Sequence, residues 1–260
     1  MSNDFTGKFA VVTGGGAGIG RAICKTLAEG GARVGVIDRD GRAARETAAL
    51  IGHDTDGHVC DVSDQAAMKK LFESFGDVPD FLINNAGVVS EPGQPFTKNS
   101  EADWDRTFAI NVKSIVHACG LVYDGMCARG AGRIVNVSSI TGVIAAPFMP
   151  PYSVSKSAAN GLTRVLARQF APFGVTVNAV CPGFVWSPLW ESLGEVMVKA
   201  SHGAQGSNGR EVFDGRIESL VPMKRPQTPE EIAATVAFLC SPLAGSITGQ
   251  IIAVDGGVTI

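Results

Sequence analysis

Short apolar runs alternate with longer amphipathic stretches along most of the chain, and this alternation restricts the possible folds more than any other feature of the sequence. The apolar runs lie at 8–14, 32–38, 57–62, 79–87, 132–139, 174–180 and 249–257. Apolar strands separated by helices are typical of a parallel sheet covered on both faces. We therefore predict an α/β protein with a three-layer, doubly wound fold, in which helices flank a seven-stranded parallel sheet in a single domain.

One region, residues 187–224, interrupts this alternation. It combines large apolar residues such as Trp190 and Met197 with the glycine-rich sequence "SHGAQGSNG". A connection of this length inside a compact domain is usually functional or mobile.

Composition excludes several classes of protein. The 260 residues are 45% hydrophobic and 18% charged, with a net charge of −3, and no basic stripe suggests a nucleic-acid partner. No apolar run is long enough to span a membrane, and the first residues resemble no secretory signal. The six cysteines are scattered, which is typical of a reducing, cytoplasmic compartment. The four histidines show no metal-ligand spacing, so we expect no catalytic metal.

A glycine-rich turn joins the first predicted strand to the first helix. Gly14, Gly18 and Gly20 let the backbone approach a phosphate at the positive end of that helix. Asp38 ends the second strand, where a carboxylate can accept hydrogen bonds from the ribose hydroxyls of a dinucleotide. A carboxylate there repels the 2′-phosphate of NADP, so the pattern favours NAD(H). A plain helix-entry loop with a solvated Asp38 is the alternative.

The spacing T-G-x-x-x-G-x-G from Thr13 resembles the cofactor loop of the short-chain dehydrogenase/reductase family. Further matches follow in the order "CDV" at 60–62, "NNAG" at 84–87, "INV" at 110–112, "NVSS" at 136–139, "YSVSK" at 152–156 and "PGFVWS" at 182–187. Ser187 stands where threonine is more common in the family. The resemblance covers nearly the whole chain and implies a Rossmann fold and NAD(P)-dependent oxidoreductase activity.

The resemblance also implies individual site residues. The expected cofactor-binding residues are Gly14, Gly18, Ile19, Gly20, Asp38, Asp61, Val62, Asn85, Ala86, Gly87, Tyr152, Lys156, Pro182, Gly183, Val185 and Ser187. The expected substrate-contacting residues are Ser139, Phe148, Met149, Tyr152, Phe184 and Trp190, with Trp186 near the nicotinamide end. A substrate-binding lid is expected at about 188–222, on a single dinucleotide-binding and catalytic domain that spans 1–260.

Tyr152 and Lys156 lie four residues apart, so they are neighbours if this segment is helical. Taken alone, such a pair is more often a packed ring and a solvated amine. By resemblance, Tyr152 is the general acid/base, Ser139 orients the substrate oxygen, Lys156 binds the nicotinamide ribose and Asn111 supports a proton-relay water. We expect Lys156 and the cationic nicotinamide ring to lower the pKa of Tyr152 from its usual value near 10.

These observations favour an NAD(H)-dependent oxidoreductase that interconverts a secondary alcohol, diol or hydroxyketone and a ketone in a largely apolar pocket without a fixed cation. An NADPH-dependent 3-oxoacyl-[acyl-carrier-protein] or acyl-thioester reductase remains open, since Arg39 follows Asp38 and since Lys224 and Arg225 could contact an acidic carrier. A regulator that binds the dinucleotide without turnover is a third alternative. The family resemblance implies a homotetramer.

Overall fold

The computed structural model describes residues 4–52, 55–93, 95–200 and 208–260. Its strands are β1 Phe9–Thr13, β2 Arg33–Asp38, β3 Thr55–Val59, β4 Phe81–Asn84, β5 Gly132–Val137, β6 Val175–Pro182 and β7 Ile251–Val254. They form one sheet in the order β3-β2-β1-β4-β5-β6-β7, and all neighbouring strands are parallel. The predicted single-domain fold with a seven-stranded parallel sheet is confirmed.

Helices cover both faces of this sheet. They are α1 Gly18–Glu29, α2 Gly41–Ile51, α3 Gln65–Ser74, α4 Glu101–Phe108, α5 Ser114–Arg129, α6 Pro150–Phe170, α7 Pro188–Ala200, α8 Gly209–Leu220 and α9 Pro229–Cys240. One buried core joins the sheet to α1 and α9 through residues such as Ile23 and Val236. The other joins it to α3, α5 and α6 through Met68, Val122 and Phe170. In the described part of the chain, no helix is long and apolar enough to cross a membrane.

The strand order determines where a ligand can bind. From β1 the chain proceeds to β2 and β3 on one side of the sheet and then crosses to β4 on the other side. In open parallel sheets, such a reversal leaves a crevice beyond the carboxyl ends of the strands. The segments that follow β1, β4, β5 and β6 therefore meet at one edge.

Several element boundaries differ from those predicted. The third strand ends at Val59 rather than at Val62, because the Asp61 carboxylate accepts hydrogen bonds from the amide and hydroxyl of Ser63 and closes a turn. The helical segment that contains α4 and α5 is interrupted by a π-helical turn, Ala109–Lys113. Region 187–224 forms the two helices α7 and α8, and residues 201–207 lie outside the described part.

A chain of buried polar side chains ties α6 to the sheet. The Asn84 amide donates to Asn136 Oδ1 at 2.9 Å, and the Asn136 amide donates to Thr163 Oγ1 at 2.9 Å. All three side chains are at most 5% exposed. Closer to the sheet edge, Ser138 Oγ donates to the Lys156 carbonyl at 3.2 Å. These bonds set the position of α6 relative to β4 and β5.

Thr163→Val should destabilise the fold by about 1–3 kcal/mol, because the new side chain keeps the shape but leaves the Asn136 amide without this acceptor. The urea midpoint would measure the loss. Thr235→Val is the matched control, since the Thr235 hydroxyl donates to the Glu231 carbonyl of its own helix. Equal losses of stability in the two variants would contradict a stabilising role for the buried hydrogen bonds of Asn84, Asn136 and Thr163.

Candidate active site

A cleft of about 530 Å³ opens at the carboxyl edge of the sheet, between the ends of β4, β5 and β6 and the helices α6, α7 and α8. A second cavity of about 230 Å³ lies beside it, along the loop after β1 and the ends of β2 and β3. Asn85, Gly87 and Val88 line both spaces. The two cavities therefore adjoin at the loop after β4, which matches an elongated ligand with two dissimilar ends.

Ser139, Tyr152 and Lys156 lie together on the wall of the larger cleft. Ser139 Oγ lies close enough to the Tyr152 phenol to favour its ionised form, and it accepts from the Thr141 amide at 3.1 Å. The Lys156 amine lies 5.7 Å from the centroid of the Tyr152 ring and donates to the Val137 carbonyl at 3.0 Å. Local sequence explains this placement, since Ser139 lies two residues after the end of β5 and α6 begins with Pro150 and Pro151, residues suited to a first helical turn.

Burial shifts the titration of both α6 residues. It raises the pKa of Tyr152 to about 12, although the neighbouring Ser139 hydroxyl acts in the opposite direction. Burial also lowers the pKa of Lys156 to about 8. In the ligand-free protein, desolvation therefore outweighs any lowering of the Tyr152 pKa by Lys156, and the lowering expected when the cationic nicotinamide is also present stays a prediction.

Asn111 lies in the π-helical turn, is 1% exposed and does not line either cavity. Its Oδ1 accepts from the Val88 amide, and its Nδ2 donates to the Val88 carbonyl and to Ser155 Oγ, each at 2.9 Å. Ser155 Oγ in turn donates to the Tyr152 carbonyl at 2.7 Å. Asn111 thus connects the loop after β4 to the first turn of α6.

Gly87 keeps the space between Asn111 and Lys156 open. A Cβ atom at this position would lie 3.3 Å from Lys156 Nζ and 3.4 Å from Asn111 Oδ1. An alanine there would be in contact with both side chains and would need only a small shift of the Lys156 amine.

The loop after β1 requires glycine for two reasons. Gly14 and Gly18 have φ angles of +65° and +52°, a region that favours glycine. A Cβ atom on Gly20 would overlap the Gly14 carbonyl. Asn85 stabilises the same loop, since its amide donates to the Thr13 and Gly14 carbonyls at 3.0 and 2.9 Å. Neither Gly18 nor Gly20 lines a cavity, so their part in a site is to shape the loop.

The second cavity has features that fit the adenosine half of a dinucleotide. Asp38 lines it, and the Asp38 carboxylate is oriented by the amides of Gly16 and Asp40, at 2.9 and 3.0 Å. Helix α1 has Ala17 as its N-cap, without a side-chain hydrogen bond to its first amides, and such a terminus suits a phosphate. Arg39 also lines the cavity. The other predicted residues found there are Gly14, Asp61, Val62, Asn85, Ala86 and Gly87.

The remaining predicted residues line the larger cleft, with one exception. Those found there are Ile19, Phe148, Met149, Pro182, Gly183, Phe184, Val185, Ser187 and Trp190. Trp186, expected near the nicotinamide end, is not part of the lining. It packs edge-to-face on Phe213 with ring centroids 5.1 Å apart, and the Arg210 guanidinium lies 4.9 Å from its ring centroid.

Sequence reasoning missed residues that α8 contributes to the cleft. Arg216 and Leu220, one helical turn apart, both line it, so the lining includes an arginine that the predicted apolar pocket did not. The signal was the apolar set Val212, Phe213 and Ile217, which α8 buries, but the adjoining glycine-rich segment obscured the helix. In the described residues, no group of three or more His, Cys, Asp and Glu side chains is placed to hold a metal ion.

Comparison with known proteins agrees with this geometry. Residues 14–259 match the family model described as Enoyl-(Acyl carrier protein) reductase. An uncharacterized oxidoreductase of Thermotoga maritima is 41% identical and aligns over 98% of this chain and 99% of its own. Acetoacetyl-CoA reductase of Cupriavidus necator is 38% identical over 97% of this chain and 98% of its own.

A solved structure of NAD⁺-bound xylitol dehydrogenase has a TM-score of 0.90 and 33% identity, and the match covers 97% of this chain and 99% of that one. Identity at this level over nearly the full length, together with the strand order and the adjoining cavities, establishes the family. The chain belongs to the short-chain dehydrogenase/reductase family of NAD(P)-binding oxidoreductases.

Proposed function

We propose that the protein is an NAD(H)-dependent dehydrogenase that interconverts a secondary alcohol, diol or hydroxyketone and the corresponding ketone. The observation that carries the proposal is the placement of the Ser139 and Tyr152 hydroxyls together on the wall of a mostly apolar cleft. A carbonyl or alcohol oxygen can meet two hydroxyl groups there, one to orient it and one to exchange its proton.

Each side chain has a separate part in this reaction. Tyr152 takes the hydroxyl proton during oxidation and returns it during reduction, and Ser139 holds the reacting oxygen. Lys156, 4% exposed and beside Gly87, would bind the ribose hydroxyls and keep positive charge near the phenol. Asn111 fixes the first turn of α6 through Ser155, and we keep the predicted support of a relay water as a proposal. When bound, the nicotinamide accepts or supplies the hydride.

The proposed preference for NAD(H) rests on Asp38. Its carboxylate is fixed by backbone amides at the second cavity, where it can accept hydrogen bonds from ribose hydroxyls and repel a 2′-phosphate. The similarity to an NAD⁺-bound xylitol dehydrogenase supports the same preference and the polyol-like substrate class.

We also propose that the segment at about 188–222 is the substrate lid, since α7 and α8 supply Trp190, Leu193, Met197 and Arg216 to the cleft. The family-based expectation of a homotetramer is supported by the apolar residues Val116, Val154 and Val165, which α5 and α6 leave about half exposed. A cytoplasmic location is supported by the free thiols of all six cysteines.

Purified protein incubated with a panel of secondary alcohols, diols and hydroxyketones should change the NADH absorbance. We expect kcat/KM for NAD⁺ to exceed that for NADP⁺ by at least about tenfold, the value of one lost charge-assisted contact. Asp38→Ala should lower this ratio of NAD⁺ to NADP⁺ efficiency. Asp77→Ala should leave the ratio unchanged, because Asp77 lines neither cavity. A preference for NADPH would overturn the cofactor assignment.

The second candidate is an NADPH-dependent reductase of 3-oxoacyl thioesters. Arg39 beside Asp38 in the second cavity and the similarity to acetoacetyl-CoA reductase favour it. The same comparison of cofactors, made with acetoacetyl-CoA as substrate, separates the two candidates. Efficient reduction of acetoacetyl-CoA with NADPH, together with failure on alcohols and diols, would select the second.

A further inference from the structure

One residue of the cleft wall carries a polar atom that has no partner within the protein. Thr141 lines the cleft, and its Oγ1 is buried and makes no hydrogen bond. Among the described residues that line the cleft, it is the one with a buried, unpartnered polar atom in its side chain. A buried hydroxyl without a partner is unfavourable and uncommon in folded proteins, so its presence in a ligand cleft is informative.

Neighbouring polar side chains of the cleft already have partners within the protein. The Asn85 amide donates to two backbone carbonyls, Ser138 Oγ donates to the Lys156 carbonyl, and Ser187 Oγ accepts from the Trp190 amide at 3.4 Å. The apolar side chains that line the substrate end include those of Ile140, Ile144, Phe148, Met149 and Phe184. A substrate oxygen in this part of the cleft therefore has few other side chains to pair with.

Thr141 lies beside Ser139, one of the two residues that would hold the reacting oxygen. The Thr141 amide donates to Ser139 Oγ at 3.1 Å, in the short 3₁₀ turn Ile140–Gly142 that follows Ser139. This contact and the bond lengths of threonine limit the separation of the two hydroxyl oxygens to about 7 Å at most. Two substrate oxygens on adjacent carbons, each with a hydrogen bond of about 2.8 Å, can bridge such a gap.

A threonine hydroxyl can pair with a second substrate oxygen in either of its forms. It accepts from a hydroxyl and donates to a carbonyl, so it suits a diol as well as a hydroxyketone. Threonine also has staggered rotamers about its Cα–Cβ bond. Rotation about this bond exchanges the hydroxyl with the methyl group and can bring Oγ1 of Thr141 to the open space of the cleft without a movement of the backbone.

We infer that Thr141 makes the cleft selective for vicinal diols and 2-hydroxyketones over alcohols and ketones with a single oxygen. This inference deepens the proposed function and rests on it, because it assumes that the reacting oxygen lies at Ser139 and Tyr152. The oxygen on the adjacent carbon then pairs with the Thr141 hydroxyl, and the alkyl part of the substrate contacts the apolar wall. Thr141 determines specificity and takes no part in the proton or hydride transfer.

The test compares diols that contain the same atoms and differ in the position of the second oxygen. The separate stereoisomers of 1,2- and 1,4-cyclohexanediol would be oxidised with NAD⁺, with cyclohexanol as the single-oxygen reference. 2,3-Butanediol and 2-butanol provide an acyclic pair. In the wild type, kcat/KM for the best vicinal isomer should exceed that for its single-oxygen reference, and for the 1,4-diols, by about 10- to 100-fold, the effect of one buried hydrogen bond.

Thr141→Val removes the hydroxyl but keeps the branched shape and the backbone amide that donates to Ser139. It should bring the ratio of vicinal diol to single-oxygen alcohol close to one, whereas Thr141→Ser, which retains a hydroxyl, should keep most of the ratio. Thr235→Val makes the same change at a threonine that lines neither cavity and should retain the wild-type ratio. Circular dichroism and thermal unfolding would establish that each variant folds.

A wild-type ratio near or below one for both the cyclic and the acyclic pair, or an unchanged ratio in Thr141→Val, would overturn the inference alone. A lack of turnover with diols, hydroxyketones and single-oxygen alcohols alike would instead overturn the proposed function, and the inference with it.

Discussion

Tyr152→Phe should lower kcat for alcohol oxidation by about a thousandfold, because it removes the hydroxyl that exchanges the substrate proton. General acid–base catalysis typically contributes 10²–10⁴-fold, and Tyr152 lies beside Ser139 on the cleft wall. The phenyl ring keeps the packing of α6. Steady-state kinetics would measure the loss, and fluorescence titration should give the wild-type dissociation constant for NADH.

The chain provides a matched control for this substitution. The chain has two tyrosines. The other one, Tyr123, packs edge-to-face on Phe170 with ring centroids 4.9 Å apart. Tyr123→Phe should therefore retain wild-type kcat. Similar losses in both variants would indicate a general effect on folding and would contradict the assignment of the proton to Tyr152.

The pH profile gives a second readout of the same residue. Oxidation needs the ionised form of Tyr152 as base, and burial raises the pKa of this group to about 12. The rate of oxidation should therefore increase with pH across the neutral range, while reduction, which uses the protonated form, should not. In Tyr152→Phe, the residual oxidation rate should lose this slope.

Lys156→Met should stabilise the ligand-free protein at pH 7 while reducing its activity by about a hundredfold or more. Lys156 is 4% exposed, and burial lowers its pKa from 10.5 to about 8. Holding the charged amine in the folded state therefore costs up to about 3 kcal/mol at neutral pH. The methionine side chain has similar length and no charge.

The direction of the Lys156 pKa shift predicts how the stability difference between Lys156→Met and wild type changes with pH. The folded-state pKa of Lys156 is depressed, so between pH 8 and 10.5 the unfolded chain binds more protons than the folded one, and wild-type stability gains with rising pH. The advantage of Lys156→Met, measured by urea unfolding, should shrink by about 2 kcal/mol from pH 7 to pH 9.5. A variant less stable than wild type at pH 7 would show that the bond to the Val137 carbonyl outweighs the buried charge.

If Lys156→Met is more stable and less active than wild type, Lys156 lowers the stability of the fold while it contributes to activity. Ser138, which donates to the Lys156 carbonyl, and Asn160, whose amide donates to the Gly142 carbonyl at 3.0 Å, hold this part of α6 in place. Their bonds offset the cost of the buried amine. The fold thus holds a buried charged group at this position, where an apolar residue would be more stable.

The alternation of apolar runs was sufficient to predict the sheet, because the five central strands β1, β2, β4, β5 and β6 are buried on both faces and each intervening helix has one apolar side. The positions of Ser139 and Asp38 also followed from sequence, since residues at the carboxyl ends of parallel strands meet at one edge. These inferences depend on local patterns that one sequence contains.

Other features depend on contacts between distant segments and were not predictable in the same way. The π-helical turn around Asn111 forms where that side chain bonds Val88 and Ser155. The raised pKa of Tyr152 reflects how many atoms surround it in three dimensions. Arg216 lines the cleft on a helix whose Phe213 packs edge-to-face on aromatic rings contributed by other segments.

The central claim, hydride transfer from a secondary alcohol with the proton passing to Tyr152, can be tested by isotope transfer. A substrate oxidised in the panel would be deuterated at its carbinol carbon and incubated with the protein and NAD⁺, and the reduced cofactor would be analysed by mass spectrometry. We predict one deuterium per reduced nicotinamide with wild type and at most a trace, formed at a greatly reduced rate, with Tyr152→Phe. Reduced cofactor without deuterium, or equal rates in the two proteins, would contradict the account.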